Sequence, residues 1–140
     1  MQRRTSNVER RTSNAEVNEQ QAHDLEERLI QFSARISRLS EELPRSRPGN
    51  DIANQILRCG TSPLSNHGEA QAAESPADFL HKMMICLKEL REAHRWLRLI
   101  HIIPLLKKPR LIEPLIDECD QLIRIFVASV RTASGNERTS

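Results

Sequence analysis

The chain has 140 residues, of which 38% are hydrophobic and only 3% aromatic, and 21 Lys and Arg against 19 Asp and Glu leave a formal net charge of +2. That length accommodates one domain with a real core, and a composition rich in Leu, Ile, Ala, Glu and Arg is that of a helical bundle. So even a balance excludes any argument for a polyanionic partner from overall charge; such a case has to rest on local patches.

Residues 1–21 open with a repeat, Arg3-Arg4-Thr5-Ser6-Asn7 followed by Arg10-Arg11-Thr12-Ser13-Asn14, which Glu137-Arg138-Thr139-Ser140 echoes at the far end. Almost no large apolar side chain is present to offset the entropy of ordering, so 1–21 and 134–140 are expected to be disordered tails flanking a bundle over 22–133. The functional alternative for the first segment is a basic arm on phosphate.

The first helix is expected from Ala22 or Asp24 to Leu43. Its apolar residues Leu25, Leu29, Phe32, Ile36, Leu39 and Leu43 alternate steps of four and three, which lays one stripe along a helix. Pro44, Pro48 and Gly49 then make a turn. Asn50 and Asp51 are candidate caps for the second helix, whose stripe is Ile52, Ile56, Cys59, Pro63, Ala70 and Ala73. Gly60, Pro63 and Gly68 weaken it, and a kink or short break is expected near Thr61–Pro63, with helix resuming to about Glu74.

The third helix has the clearest start: Ser75 as N-cap, Pro76 in the first turn and Asp78 where a carboxylate reaches back to the cap. Phe79, Met83, Cys86, Leu90, Ala93, Leu97 and Ile100 form its core stripe. Two further stripes share the helix. Lys88, Arg91, Arg95 and Arg98 line up as a basic ridge. Ile85, Trp96, Leu99 and Ile103 make a second apolar face, either a subunit interface or the flank of a wide core stripe. Pro104 and the turn Lys107-Lys108-Pro109-Arg110 close the helix. The fourth runs from Arg110 to Thr132 on Ile112, Leu115, Cys119, Leu122, Phe126 and Ser129. Four such helices with short connections predict an all-α, up-down-up-down antiparallel four-helix bundle.

The series Asn54 to Ser62, Gly68-Glu69-Ala70, Glu74-Ser75, Asp78-Phe79, His81-Lys82, Lys88 to Glu92 and Trp96 to Leu99 strongly resembles the four helix bundle proteins also called 23S rRNA intervening-sequence proteins. The likeness spans roughly Leu25 to Ala133. Cys59 departs from it where a Ser is frequent, and Pro63 where an aliphatic residue often sits. The resemblance implies a bundle assembled as a ring-like homopentamer. Similar accessory proteins of diversity-generating retroelements bind nucleic acid and a reverse transcriptase through basic surfaces, so RNA or DNA and such a protein are the partners it implies.

The ridge Lys88, Arg91, Arg95 and Arg98, with Lys107, Lys108 and Arg110 in the following turn, is therefore the candidate nucleic-acid surface, each phosphate contact adding salt-dependent affinity. Against it stand Glu89 and Glu92, since Lys88 and Glu92 have the spacing of an ordinary i,i+4 pair. A di-iron bundle needs two Glu-x-x-His motifs and further inward carboxylates; the chain offers only Asp78-x-x-His81. His94 and His101 read as histidines beside the core. Cys59, Cys86 and Cys119 lie on or beside apolar stripes, far apart, and read as reduced core residues. No apolar run approaches the ~18 residues of a membrane span, and no signal peptide opens the chain. The expectation is a cytoplasmic, non-enzymatic protein without cofactor or metal, binding nucleic acid or, alternatively, serving as a protein-interaction scaffold.

Overall fold

The stripes and caps resolve into four long helices. The computed structural model describes residues 6–103 and 105–139, arranged as α1 (Asn7–Glu42), α2 (Arg47–Gln71), α3 (Pro76–Ile102), a single 3-10 turn (Pro109–Leu111) and α4 (Ile112–Thr139). The first arginine pair, Arg3-Arg4, and Pro104 as a helix stop lie outside the described residues.

Three expectations about helix bounds are corrected. α1 begins at Asn7, well before Ala22, because Ser6 and Glu9 form a reciprocal capping box. The Ser6 side chain accepts from the Glu9 N–H at 3.2 Å, and the Glu9 carboxylate accepts from the Ser6 N–H at 3.0 Å. Its first turns bury almost nothing, so the entropy argument holds for packing and not for backbone. α4 likewise continues past Thr132 to Thr139. α2 starts at Arg47, not after Asn50: Ser46 accepts from the Gly49 N–H at 3.2 Å, and Pro48 occupies the first turn, where its missing N–H costs nothing. A Cβ on Gly49 would lie 2.0 Å from the Pro44 carbonyl oxygen, so only glycine lets the α1–α2 turn close this tightly.

α2 is also unbroken through Pro63 and ends at Gln71. Pro63 removes the hydrogen bond to the carbonyl four residues back, yet its ring is buried in the core, and its own carbonyl accepts from the Cys86 thiol of α3 at 3.5 Å. Tertiary packing holds the helix where local propensity is poor. α3 starts at Pro76 as expected, with Ser75 accepting from the Asp78 N–H at 3.1 Å, but the Asp78 carboxylate makes no return bond to the cap.

α1 packs on α2, α2 on α3, α3 on α4, and α4 closes back on α1. The order is up-down-up-down. The core is the set of stripes: Leu29, Phe32, Ile36, Leu39 and Leu43 from α1; Ile52, Ile56 and Cys59 from α2; Met83, Cys86, Leu90, Ala93, Leu97 and Ile100 from α3; and Ile112, Leu115, Cys119, Leu122 and Phe126 from α4. At 36 residues α1 is far longer than the 25-residue α2, a difference of about 16 Å at 1.5 Å per residue. Gly60 packs against Ile36, which sets the α1–α2 register and leaves the N-terminal turns of α1 overhanging the end of the bundle opposite the Pro44–Ser46 turn. No helix is long and apolar enough to cross a membrane among the described residues.

Candidate nucleic-acid interface

Helical spacing brings the ridge together. Lys88, Arg91, Arg95 and Arg98 are all exposed along the solvent side of α3, as are Lys107, Lys108 and Arg110 in the connection to α4. Among the described residues none of these seven has a carboxylate within ion-pair distance, although Glu89 and Glu92 are interleaved with them.

The reason is Arg58, which lies within the Asn54 to Ser62 series but whose partners that series does not announce. From α2 its guanidinium reaches across to α3, 2.5 Å from Glu92 and 3.2 Å from Glu89. Glu92 holds the Arg58 guanidinium above its ordinary value; burial opposes it, and Glu89 adds a smaller effect in the same direction as Glu92. The expected Lys88–Glu92 pair does not form, because the acids are turned away toward α2 and the ridge keeps its charge. Arg58 lies on a different helix, so no i,i+4 spacing announces it; only the α2–α3 register does. The same register pairs Lys82 of α3 with Glu69 of α2 at 2.7 Å, and that hydrogen bond raises the Lys82 ammonium above its usual value. Arg28 of α1 bonds Glu118 of α4 and, at 3.2 Å, the Gln121 side chain. Polar residues that stand out in the sequence for their apolar surroundings (Glu69, Lys82, Glu89, Glu118) thus fix which turn of each helix meets which.

The second apolar face of α3 is less open than its spacing implies. Trp96 and Leu99 are half-buried against the core, Ile85 is half-buried, and only Ile103 reaches 38% exposure.

The three thiols are held far from their reactive form. Cys59, Cys86 and Cys119 are free and buried, and burial pushes each thiol up to about 12, far from thiolate at neutral pH. The buried histidine is neither His94 nor His101 but His67, 1% exposed. Its ring stands edge-on to Phe126 at 6.2 Å, its Nε2 lies 3.3 Å from the Gln71 amide, and its Nδ1 has no partner. Burial lowers its pKa, against a raising effect of Glu26. It lines a cleft of about 690 Å³ to which all four helices contribute, among them Leu25, Gln71, Phe79 and Ser129. His101 is exposed and 3.5 Å from Glu113. Among the described residues no three His, Cys, Asp or Glu side chains gather as a metal site.

Comparison with known proteins agrees with this architecture. A crystal structure of a protein of unknown function from the S23 ribosomal protein family of Bacteroides thetaiotaomicron is 27% identical, with a TM-score of 0.71 over 79% of this chain and 97% of that one. No curated protein matches the sequence. Residues 15–128 match the profile of a family described as 23S rRNA-intervening sequence protein, covering most of the chain and all four helices. The chain belongs to the 23S rRNA-intervening sequence protein family.

Proposed function

We propose that this is a cytoplasmic, non-enzymatic accessory protein that binds RNA or DNA by phosphate contacts along the α3 ridge. One observation carries the reading: Arg58 sequesters Glu89 and Glu92, so four cations at successive helical turns face solvent unneutralised. Cations three and four residues apart lie ~5–6 Å from one another at their Cβ atoms, close enough to act as a single strip of positive potential. The family's description speaks of an intervening sequence in 23S rRNA, which supports an RNA partner and states no activity. Only three Phe and one Trp are present, and the one Trp is half-buried. With no stacking platform, weak sequence preference follows.

Fluorescence anisotropy against structured RNA and duplex DNA across a salt series tests this. Saturable binding that weakens steeply with salt is expected, and Arg91→Glu with Arg95→Glu should reduce affinity at least tenfold without loss of helicity. Unchanged binding by that variant would put the surface elsewhere; a wild-type protein that binds neither probe at low salt would leave the scaffold reading. The exposed Ile103 beside half-buried Trp96, Leu99 and Ile85 favours a further element of the proposal, a homo-oligomer of ring-like, pentameric form. A monomer mass for the full chain in solution would count against it.

A further inference from the structure

We propose that the Pro44–Ser46 end of the bundle extends the α3 ridge into a bent track for single-stranded nucleic acid, with Arg45 and Arg47 as its missing members. This rests on the nucleic-acid reading above and names the form of the partner.

Placement follows from helix register. Arg58 meets Glu89 and Glu92, and Glu69 meets Lys82, so α2 and α3 run antiparallel with a known offset. Carrying that offset about three turns further sets Arg47 beside the last turn of α3, and Arg45 just beyond it. On the other flank His101 lies 3.5 Å from Glu113, which sets Lys107, Lys108 and Arg110 against the same turn. Arg45 and Arg47 are exposed, and like the other cations here they have no carboxylate within ion-pair reach among the described residues. Acids do occur at this end: Glu41, Glu42, Asp51 and Glu113. They are outnumbered by Arg45, Arg47, Arg98, Lys107, Lys108 and Arg110, and Glu113 already faces His101.

Two features select a single strand. Between these cations the bundle exposes aliphatic surface, Ile102 at 73% and Leu111 at 42%. A duplex hides its base faces, whereas an unpaired strand presents them to apolar side chains while its phosphates meet the cations. The track also turns: it runs down the side of α3 and then across the bundle end. Duplex DNA, with a persistence length of ~150 bp, cannot follow a corner on the scale of one helix without a bending cost, whereas a single strand turns freely. An anionic membrane would meet the tip but not Lys88 or Arg91, which lie roughly 15–20 Å farther along α3.

The test measures anisotropy of an unstructured oligouridine and of a duplex of equal length with the full chain, in parallel with sedimentation on vesicles containing phosphatidylserine. Expected are tighter binding of the oligouridine than of the duplex and, for Arg45→Glu with Arg47→Glu, roughly tenfold weaker oligouridine binding. The slope of log affinity against log salt should fall by about one to two, at ~0.7 for each phosphate no longer neutralised, while duplex affinity stays within about twofold. An acid at position 47 sits in the first turn of α2, where the helix dipole favours it; Arg45→Gln with Arg47→Gln, showing a smaller reduction of the same kind, guards against misfolding. If the ridge variant abolishes binding while the loop variants bind like wild type, the track is wrong and the ridge stands. Equal affinity for duplex and oligouridine overturns the single-strand assignment. Vesicle binding without oligouridine binding overturns it in favour of a membrane surface, and binding to no nucleic acid removes the ridge reading with it.

Discussion

At the scale of single residues, Arg58 governs the charge of the proposed ridge without belonging to it. Replacing it by Ala releases Glu89 and Glu92, and Glu92 then has Lys88 one turn away as its natural partner. We expect Arg58→Ala to weaken nucleic-acid binding about threefold, the scale of one surface ion pair, and Arg58→Ala with Glu92→Gln to recover most of it. Anisotropy on the three proteins measures this; weakening without recovery would mean that Arg58 contacts the ligand directly. His67 makes a different prediction. Burial holds its folded pKa below the ordinary 6.5, so as pH falls the unfolded chain takes up the proton first. Stability should therefore be full above about pH 6.5 and decline as pH drops from there toward the depressed folded value. Thermal melts at pH 7 and pH 5 should show a lower Tm at pH 5, by a margin that shrinks in His67→Leu. An equal drop in both proteins would assign the acid sensitivity to other groups. Neither residue is legible in the sequence. Arg58 needs a partner on another helix to gain meaning, and His67 sits among Asn66, Gly68 and Glu69, where no apolar run marks it as buried.

At the scale of elements, the stripes are legible almost residue by residue, because periodicity near 3.6 is imposed by the helix itself. Every position from Met83 to Ile100 assigned to the core face of α3 is buried. Helix ends are less so. Ser75 is visible as a cap since it precedes proline at a composition break, whereas Ser6 lies inside a repeat that reads as disorder. Asn50 draws attention away from Ser46 because Pro48 and Gly49 look like turn residues, although both suit a first helical turn. The glycines of α2 look alike in sequence and differ in space. A Cβ on Gly60 would lie 2.7 Å from Cγ2 of Ile36, a fully buried, β-branched side chain with little freedom to move. Overpacking of ~1–3 kcal/mol should then outweigh the ~1 kcal/mol that alanine gains in helix propensity. Gly68 has nothing within 4 Å of its Cβ position. Denaturant melts should show Gly60→Ala destabilised by about 1 kcal/mol and Gly68→Ala stabilised by up to ~1 kcal/mol. The same sign for both would mean that α2 shifts to relieve the contact.

At the scale of the whole molecule, a net charge of +2 conceals how the charges are sorted. The Pro44–Ser46 end carries Arg45, Arg47, Lys107, Lys108 and Arg110, with Arg98 close by. Past Arg10 and Arg11 at its tip, α1 has no Lys or Arg from Thr12 to Glu27, but has Glu16, Glu19, Asp24, Glu26 and Glu27. This separation, unlike the stripes, is invisible until the helices are placed end against end. It gives the bundle an electric moment along its long axis. A protein so built turns its cationic end toward a polyanion before contact, so ionic strength should act mainly on the rate of encounter. At pH near 8.6, where the sequence carries no net charge, it should still be retained on heparin. The same moment constrains assembly. Copies packed side by side and pointing the same way would gather their cationic tips on one rim and their acidic overhangs on the other, giving a particle with two unlike faces, while copies in opposite directions would cancel both.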